Sequence, residues 1–212
     1  MNLHSKNDVV KVDKFVITAG NEEMNQDYKI KELTEAEFRP LFDEHKMTVF
    51  EDDHSYVLWD LLDESELENI KVLGKDLGTP YKLYLGIFDK DENFIGWSLG
   101  FQENSTTFYM CNSAVLPEHR RKGLYSSLVS RCVDILSDKG FQLVYSRHCA
   151  TNNDVIIPKL KAGFIISKME IDDKFGVLIH LHFYTNNDRR KIMDYRSGQL
   201  KPDSKIKEVF KL

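Results

Sequence analysis

Cysteine, long apolar runs and basic charge are all in short supply in this chain. Cys111, Cys132 and Cys149 are its three cysteines. An odd number with no CxxC spacing indicates neither a disulfide framework nor a zinc site, and fits a reducing compartment. No apolar stretch approaches the roughly 20 residues that span a bilayer. Lys6, Asp8, Lys11, Asp13 and Lys14 break up the region where a secretion signal would need its apolar core. The expected location is cytoplasmic, away from membranes. Lys and Arg together number 29 against 34 Asp and Glu, a formal net charge of −5, which argues against a general nucleic-acid binder. The phosphate-loop pattern G-x-x-x-x-G-K-[ST] does not occur, so triphosphate chemistry of that kind has no support. Repeats and low-complexity tracts are absent as well.

What is present suits one ordinary domain. The 212 residues are 42% hydrophobic and 11% aromatic, enough for a full core. Residues 1–26 are polar apart from Phe15-Val16-Ile17 and read as an N-terminal arm or extra edge strand. Tyr28 to Leu33 alternates like a strand. Thr34-Glu35-Ala36-Glu37 is a capping box that starts a helix running to about Lys46. Tyr56 to about Leu77 carries Leu58, Leu61, Leu62, Leu67, Ile70 and Leu73 at helical spacing, and Gly74 and Gly78-Thr79-Pro80 stop it. Tyr81–Phe88 and Phe94–Gln102 form a hairpin across Asp89–Asn93, and Thr107–Val115 adds a third antiparallel strand. Leu124, Leu128, Cys132, Ile135 and Leu136 predict a helix closed by Gly140. Phe141–His148 is a strand and Asn152–Ala162 a short helix, started late so that Pro158 falls in or near its first turn. Phe164–Ile171 and Val177–Tyr184 are the last strands. Residues 27–185 thus form the main domain, and 186–212 a C-terminal helix from Asn187 to about Arg196 followed by a charged tail.

The stretch from Val115 to Leu128 is the most informative. A strand ends at Pro117, and Arg120-Arg121-Lys122-Gly123 leads directly into a helix. The first N–H groups of that helix have no intrahelical partner, and the helix dipole adds partial positive charge there. Gly123 lets the backbone approach a ligand closely. Three cations in a row raise the local potential. The turn is therefore a candidate phosphate or pyrophosphate site, with a solvated helix start as the plainer alternative.

The motif V-x-P-x-x-R-x-x-G-L-x-S in this stretch strongly resembles motif A of the GNAT acyltransferases, with Tyr125 where the family has a small residue. Asn152 to Phe164 resembles the family's second signature: Asn152 falls on its asparagine, and Lys161, Gly163 and Phe164 on its closing K-x-G-F. The resemblance covers about Tyr28 to Tyr184, and the order of elements read from periodicity is that of the family. It implies an α/β (α+β) acyl-CoA N-acyltransferase fold: a central mixed, mostly antiparallel twisted sheet of about seven strands, flanked by helices. It implies acetyl-CoA as cosubstrate, with its pyrophosphate at Arg120, Arg121, Lys122, Gly123, Leu124, Tyr125 and Ser126. Its pantetheine arm would lie along the backbone near Val115 and near Asn152. The family's proton-donating tyrosine is not matched, because Lys159 stands at that position.

Acetyl transfer to an amine needs a neutral amine, whose pKa is about 10.4 when lysine-like, so a base or a water chain helps. It also needs a donor to the thioester oxygen, often a backbone N–H freed by a strand irregularity. The thiol leaving group has a reference pKa of about 8.5 and can leave with or without a proton, so no covalent nucleophile is required. The strand before motif A contains no acid, so candidates come from elsewhere. His148 suits a base or is a hydrogen-bonded strand end. Tyr109 is a donor to the thiolate or a core aromatic, and Glu103 acts through water or is a solvated turn residue. His180 and His182 share a strand face but lack a third metal ligand, so no metal is expected. Cys149 is not needed as a nucleophile, and Arg189-Arg190-Lys191 is either an anion-attracting or a solvated face. The expected activity is acetyl transfer from acetyl-CoA to a primary amine, small molecule or peptide. A GNAT-like domain that binds acyl-CoA as a sensor without turnover is the alternative. No nucleic acid or membrane partner is expected, and a homodimer remains open. Acids at Glu51, Asp52, Asp53, Asp60, Asp63 and Glu64 would suit a cationic acceptor or are a solvated surface.

Overall fold

Thr34 caps the first helix as its sequence requires: its side chain accepts from the Glu37 N–H while the Glu37 carboxylate accepts from the Thr34 N–H. The computed structural model describes residues 27–50 and 58–212. The proposed N-terminal arm, residues 51–57 and the acids Glu51, Asp52 and Asp53 lie outside the described residues. The elements are β1 (Tyr28–Leu33), α1 (Glu35–Val49), a 3-10 turn (Leu58–Leu61), α2 (Glu64–Lys75), β2 (Lys82–Asp89), β3 (Phe94–Gln102) and β4 (Thr107–Val115). After a 3-10 turn at Pro117–His119 come α3 (Leu124–Asp138), β5 (Leu143–Cys149), α4 (Asn153–Lys161), β6 (Ile165–Asp172), β7 (Gly176–Tyr184), α5 (Asn187–Arg196) and α6 (Ser204–Phe210).

The seven strands make one sheet in the order β1-β2-β3-β4-β5-β7-β6. Every neighbouring pair is antiparallel except β4 and β5. This is the mixed, mostly antiparallel architecture expected from the sequence. Helices cover both faces of its first half, which is why β2 is buried almost without interruption rather than on alternate residues. On one face Leu83, Leu85, Ile87 and Ile95 pack with Leu124, Leu128, Val129, Cys132 and Leu136 of α3. On the other, Phe38 of α1 is fully buried among Tyr84, Phe88, Phe94, Trp97 and Leu116.

Two expectations need correction. The single helix read over Tyr56–Leu77 is interrupted. Asp63 accepts from the Glu66 N–H at 2.8 Å and Glu66 accepts from the Asp63 N–H at 2.9 Å, so a second capping box starts α2 afresh after the 3-10 turn. No residue of α2 is buried, and Leu61, Ile70 and Leu73 stay exposed. Pro158 is not in the first turn of α4. The helix begins at Asn153, so Pro158 lies inside it, and the burial of Ile156 and Lys159 holds the helix together despite the missing N–H. The charged tail, left unassigned by the sequence, contains α6. Asp203 caps α6 by accepting from the Ile206 N–H, Ile206 is buried, and Phe210 packs on Tyr195. Ile206, Val209 and Phe210 do recur at helical spacing, but in a seven-residue segment crowded with charge that pattern is too short to read in advance.

Candidate active site

β4 and β5 pair only at Thr107↔Leu143, Phe108↔Val144 and Tyr109↔Tyr145. Beyond Tyr109 and Tyr145 they part, although β4 stays paired with β3 as far as Val115 and β5 with β7 as far as Cys149. The result is a wedge-shaped gap in the middle of the sheet, with unpaired backbone along both sides. Unpaired strand edges that are not covered present a row of amide donors and acceptors, here suited to an extended amide-bearing chain.

A second irregularity lies in the same wall. The β3–β4 register runs Leu99↔Asn112 and then Gly100↔Met110, which leaves Cys111 as an extra residue. Such a bulge re-aims the backbone locally. It depends on Gly100, where a Cβ would meet the Tyr109 carbonyl oxygen at 2.4 Å and the Phe108 ring at 2.5 Å. The Trp97 indole N–H fixes the strand beyond it by donating to Asn112 Oδ1 at 2.8 Å. Gly100→Ala is expected to destabilise the protein by about 1–3 kcal/mol through this overlap, measured by urea unfolding. An unchanged midpoint would mean that the close approach is dispensable.

The open end of the gap leads to the basic turn. Arg120 Nε donates to the Val115 carbonyl at 3.0 Å and ties the turn to the end of β4. Lys122 Nζ reaches the Tyr28 hydroxyl at 3.2 Å. Arg121 and Gly123 both have left-handed backbone, at φ of 60° and 76°. Gly123 is the N-cap of α3, with no side-chain cap and no acidic residue in the first turn. Successive N–H groups in such a turn converge on a concavity that favours an anion, and the residues present therefore fit a pyrophosphate. Arg121, Lys122 and Ser126 are exposed around it. Leu124 is buried, so toward a ligand it offers backbone alone. Tyr125 is turned inward to Ser113, oxygen to oxygen at 3.1 Å, and burial raises its hydroxyl pKa. The large residue at this position thus fills core space beneath the turn. Asn152 is the N-cap of α4 and is exposed, but its side chain does not cap the helix.

The three catalytic candidates divide between the two faces of the sheet. Glu103 accepts from the Tyr145 hydroxyl at 2.5 Å, and Tyr145 stacks on Tyr109 with ring centres 4.9 Å apart. Arg147 Nε donates to the Tyr109 hydroxyl at 3.3 Å and its Nη1 to Glu170 and Asp172. His180 stacks on Tyr145 and bonds to Glu170. Glu103 and Tyr109 therefore belong to one polar and aromatic cluster at the closed end of the gap. His148 lies on the alternate face of β5. Its Nε2 is 2.8 Å from Ser146 Oγ, and burial, with Lys159 nearby, pushes its pKa down to about 3. The ring is neutral across the physiological range.

The sequence did not point to Ser146, nor did it assign a role to Lys159. Lys159 is fully buried and donates from Nζ to Ser146 Oγ at 2.7 Å. Its signal was its spacing: Ile156 and Lys159 are the two buried residues of α4, one helical turn apart. Other candidates are accounted for by packing. Arg190 bonds to Asp194 and the Gly163 carbonyl, and Arg189 covers the Tyr184 ring, so this basic run holds α5 against the domain. Among the described residues no group of three or more His, Cys, Asp or Glu could hold a metal ion. No described helix is long and apolar enough to cross a membrane.

Residues 27–164 match the sequence pattern described as the Acetyltransferase (GNAT) family. Among solved structures, spermidine N-acetyltransferase from Vibrio cholerae in complex with CoA and spermine is similar at 16% identity with a TM-score of 0.53, over 76% of this chain and 97% of that one. The dodecameric structure of spermidine N-acetyltransferase from Vibrio cholerae in an intermediate state is similar at 14% identity with a TM-score of 0.54, over 76% and 95%. Spermidine/spermine N-acetyltransferase SpeG from the same organism, in complex with manganese ions, is similar at 14% identity with a TM-score of 0.53, over 84% and 99%. At these identities the likeness is one of fold. No curated protein matches the chain in sequence.

Proposed function

The chain belongs to the GNAT family of acetyltransferases, and from that premise we propose that it moves the acetyl group of acetyl-CoA onto a primary amine by direct attack on the thioester. The observation that carries this reading is the gap between β4 and β5, continuous with the left-handed turn at Arg121 and Gly123. In this reading the pyrophosphate rests on the first turn of α3, with Arg120, Arg121, Lys122, Gly123, Leu124, Tyr125 and Ser126 around it. The pantetheine amides pair with β4 backbone near Val115, and Asn152 stands at the β5 side. The Cys111 backbone, with no partner residue in register on β3 or β5, would donate to the thioester oxygen as negative charge develops there. The amine forms the new C–N bond, the C–S bond breaks, and CoA leaves as thiol.

Among the candidates, His148 acts on protons at the gap, while Tyr109 and Glu103 stand in the cluster at its closed end. A cationic amine suits the exposed acids Asp60 and Glu64 near α2, and spermine is the ligand bound by the Vibrio cholerae neighbour. We read the protein as cytoplasmic, without nucleic-acid or membrane partners, and self-association as a homodimer is compatible with this reading.

Free-thiol release from acetyl-CoA, followed across a library of amines, tests the proposal. Release that requires a particular amine supports it. Tight CoA binding with no turnover on any acceptor would replace it with the sensor reading. His148→Ala is expected to lower the transfer rate about 100-fold with CoA affinity unchanged, measured as kcat at saturating acetyl-CoA. An unaltered rate and pH profile would remove His148 from the chemistry.

A further inference from the structure

Met110 and Ser146 are the first residues after the last β4–β5 pair, Tyr109↔Tyr145. Lys159 contacts both. Its Nζ is 2.7 Å from Ser146 Oγ and 3.7 Å from Met110 Sδ, and it lies 5.2 Å over the Phe164 ring. The amine therefore stands at the apex of the gap, where the two strands begin to part. It is fully buried, and among the described residues it has no ion-pair partner. A lone ammonium with one hydroxyl, one thioether and a ring face is poorly solvated, and a buried lysine in such a place releases its proton easily. Burial lowers its pKa to about 7.

The groups facing it are few. From α3, Cys132 is fully buried with its thiol pKa pushed up to about 12, so it remains protonated. From β5, His148 remains neutral. Lys159 is thus the member of this set that changes charge near neutral pH. Ser146 Oγ touches both neighbours, at 2.7 Å from Lys159 Nζ and 2.8 Å from His148 Nε2. A hydroxyl is donor and acceptor at once. With Lys159 donating to Oγ, the serine proton points to Nε2. With Lys159 neutral, Nε2–H donates to Oγ and the serine proton points to Nζ.

We propose that His148, Ser146 and Lys159 form a proton relay that takes a proton from the acceptor ammonium and returns one to the departing thiolate. This rests on the transferase reading above. His148 Nδ1 accepts the ammonium proton, Nε2–H passes its proton to Ser146 Oγ, and the serine proton moves to Lys159 Nζ. The neutral amine attacks the carbonyl carbon, and the C–S bond breaks as the C–N bond is completed. The proton then runs back: Lys159 Nζ returns one to Ser146 Oγ, the serine proton passes to His148 Nε2, and Nδ1–H gives its proton to the thiolate sulfur, while the second amine proton leaves to water. The products are the acetamide, CoA thiol and one released proton, and the relay is restored to its starting state. A single lysine serves as acceptor before attack and donor after it. His148, too weak a base to retain a proton, functions because it passes that proton on.

The test uses the full chain, acetyl-CoA and whichever amine the thiol-release screen identifies. Wild-type kcat/KM is expected to have an ascending limb near pH 7. Lys159→Met, nearly equal in length, and Ser146→Ala are each expected to lose that limb and at least 100-fold in kcat, with CoA affinity by calorimetry within threefold of wild type. At a pH above the amine's own pKa, where no proton need be taken from the acceptor, a phenyl thioester of acetate, whose thiolate leaves without a proton, is expected to react with Lys159→Met far closer to the wild-type rate than acetyl-CoA does. Retention of the limb and of kcat in both variants would overturn the relay while leaving the transferase reading intact. CoA binding by wild type with no turnover on any amine would instead overturn the transferase reading. In that case the 13Cε resonance of Lys159 still tests the chain of groups: titration near 7 that shifts in Ser146→Ala supports the coupling, and titration unmoved by that change overturns it.

Discussion

Gly123→Val is expected to weaken CoA binding by about 100-fold, equivalent to roughly 3 kcal/mol of binding free energy. Its effect on thermal stability should be small. Gly123 has φ of 76° at the N-cap of α3, and Arg121 two residues earlier has φ of 60°. A β-branched residue held in that region costs on the order of 1–3 kcal/mol. The turn is exposed and can relax toward ordinary dihedrals, so most of that cost is avoided in the free protein. Relaxation turns the converging N–H groups away from one another, and the anion loses its seat at the moment it must bind. Calorimetric titration with CoA, alongside a thermal melt, separates the two consequences. Gly123→Ala should fall between wild type and valine. Equal dissociation constants for wild type and Gly123→Val would remove the turn as the pyrophosphate site.

Lys159→Met is expected to make the protein more stable at pH 7 to 9 and to flatten the dependence of stability on pH. The folded-state pKa of Lys159 is lowered to about 7 from an ordinary value of 10.5. Between those values the unfolded chain binds a proton that the folded chain has released, so stability rises with pH. Below pH 7 both states hold the proton, and the folded state bears the full penalty of a buried charge. At one unit of pH per 1.36 kcal/mol, wild type should gain roughly 2–3 kcal/mol between pH 7 and 9 from this group. Above pH 9 Cys132 opposes the trend. Its folded pKa is raised to about 12 from 9.0, so its contribution is present below pH 9 and fades above it. His148, lowered to about 3 from 6.5, contributes a rise with pH only below 6.5. Urea unfolding at pH 6, 7, 8 and 9 checks the prediction. A wild-type slope equal to that of Lys159→Met would mean that Lys159 titrates like a surface lysine.

Taken together, these two changes mark opposite relations between site and fold. In the proposed reading, substitution at Gly123 costs the fold little and the ligand much. Lys159 weakens the fold, and a hydrocarbon side chain would suit the same space better. Strain of this kind concentrates where chemistry is done.

The parts of the site that were readable in advance are local ones. The capping box at Thr34, the helical spacing from Leu124 to Leu136, the glycine at 123 and the strand periods from Tyr81 to Val115 depend on residues within a few positions of one another, and each element formed close to where the sequence put it. The split at Asp63 was also written locally, as a second capping box, but the leucine spacing across it favoured one long helix. Pro158 was misplaced because propensity alone keeps proline near a helix start, whereas Ile156 and Lys159 packing into the core hold the helix around it.

By its sequence alone the chain determined most of its elements, their order, its family resemblance and the left-handed turn proposed to bind an anion, because backbone propensity and turn chemistry act over a few residues. Tertiary structure alone decided the rest. The gap exists because β4 and β5, more than thirty residues apart in the chain, pair at three positions and then diverge. The bulge at Cys111 exists because Gly100 approaches β4 closely. Lys159 is a proton carrier in this reading because burial by α3, β4 and β5 removes its water, and desolvation is a property of what surrounds a side chain rather than of its neighbours in sequence.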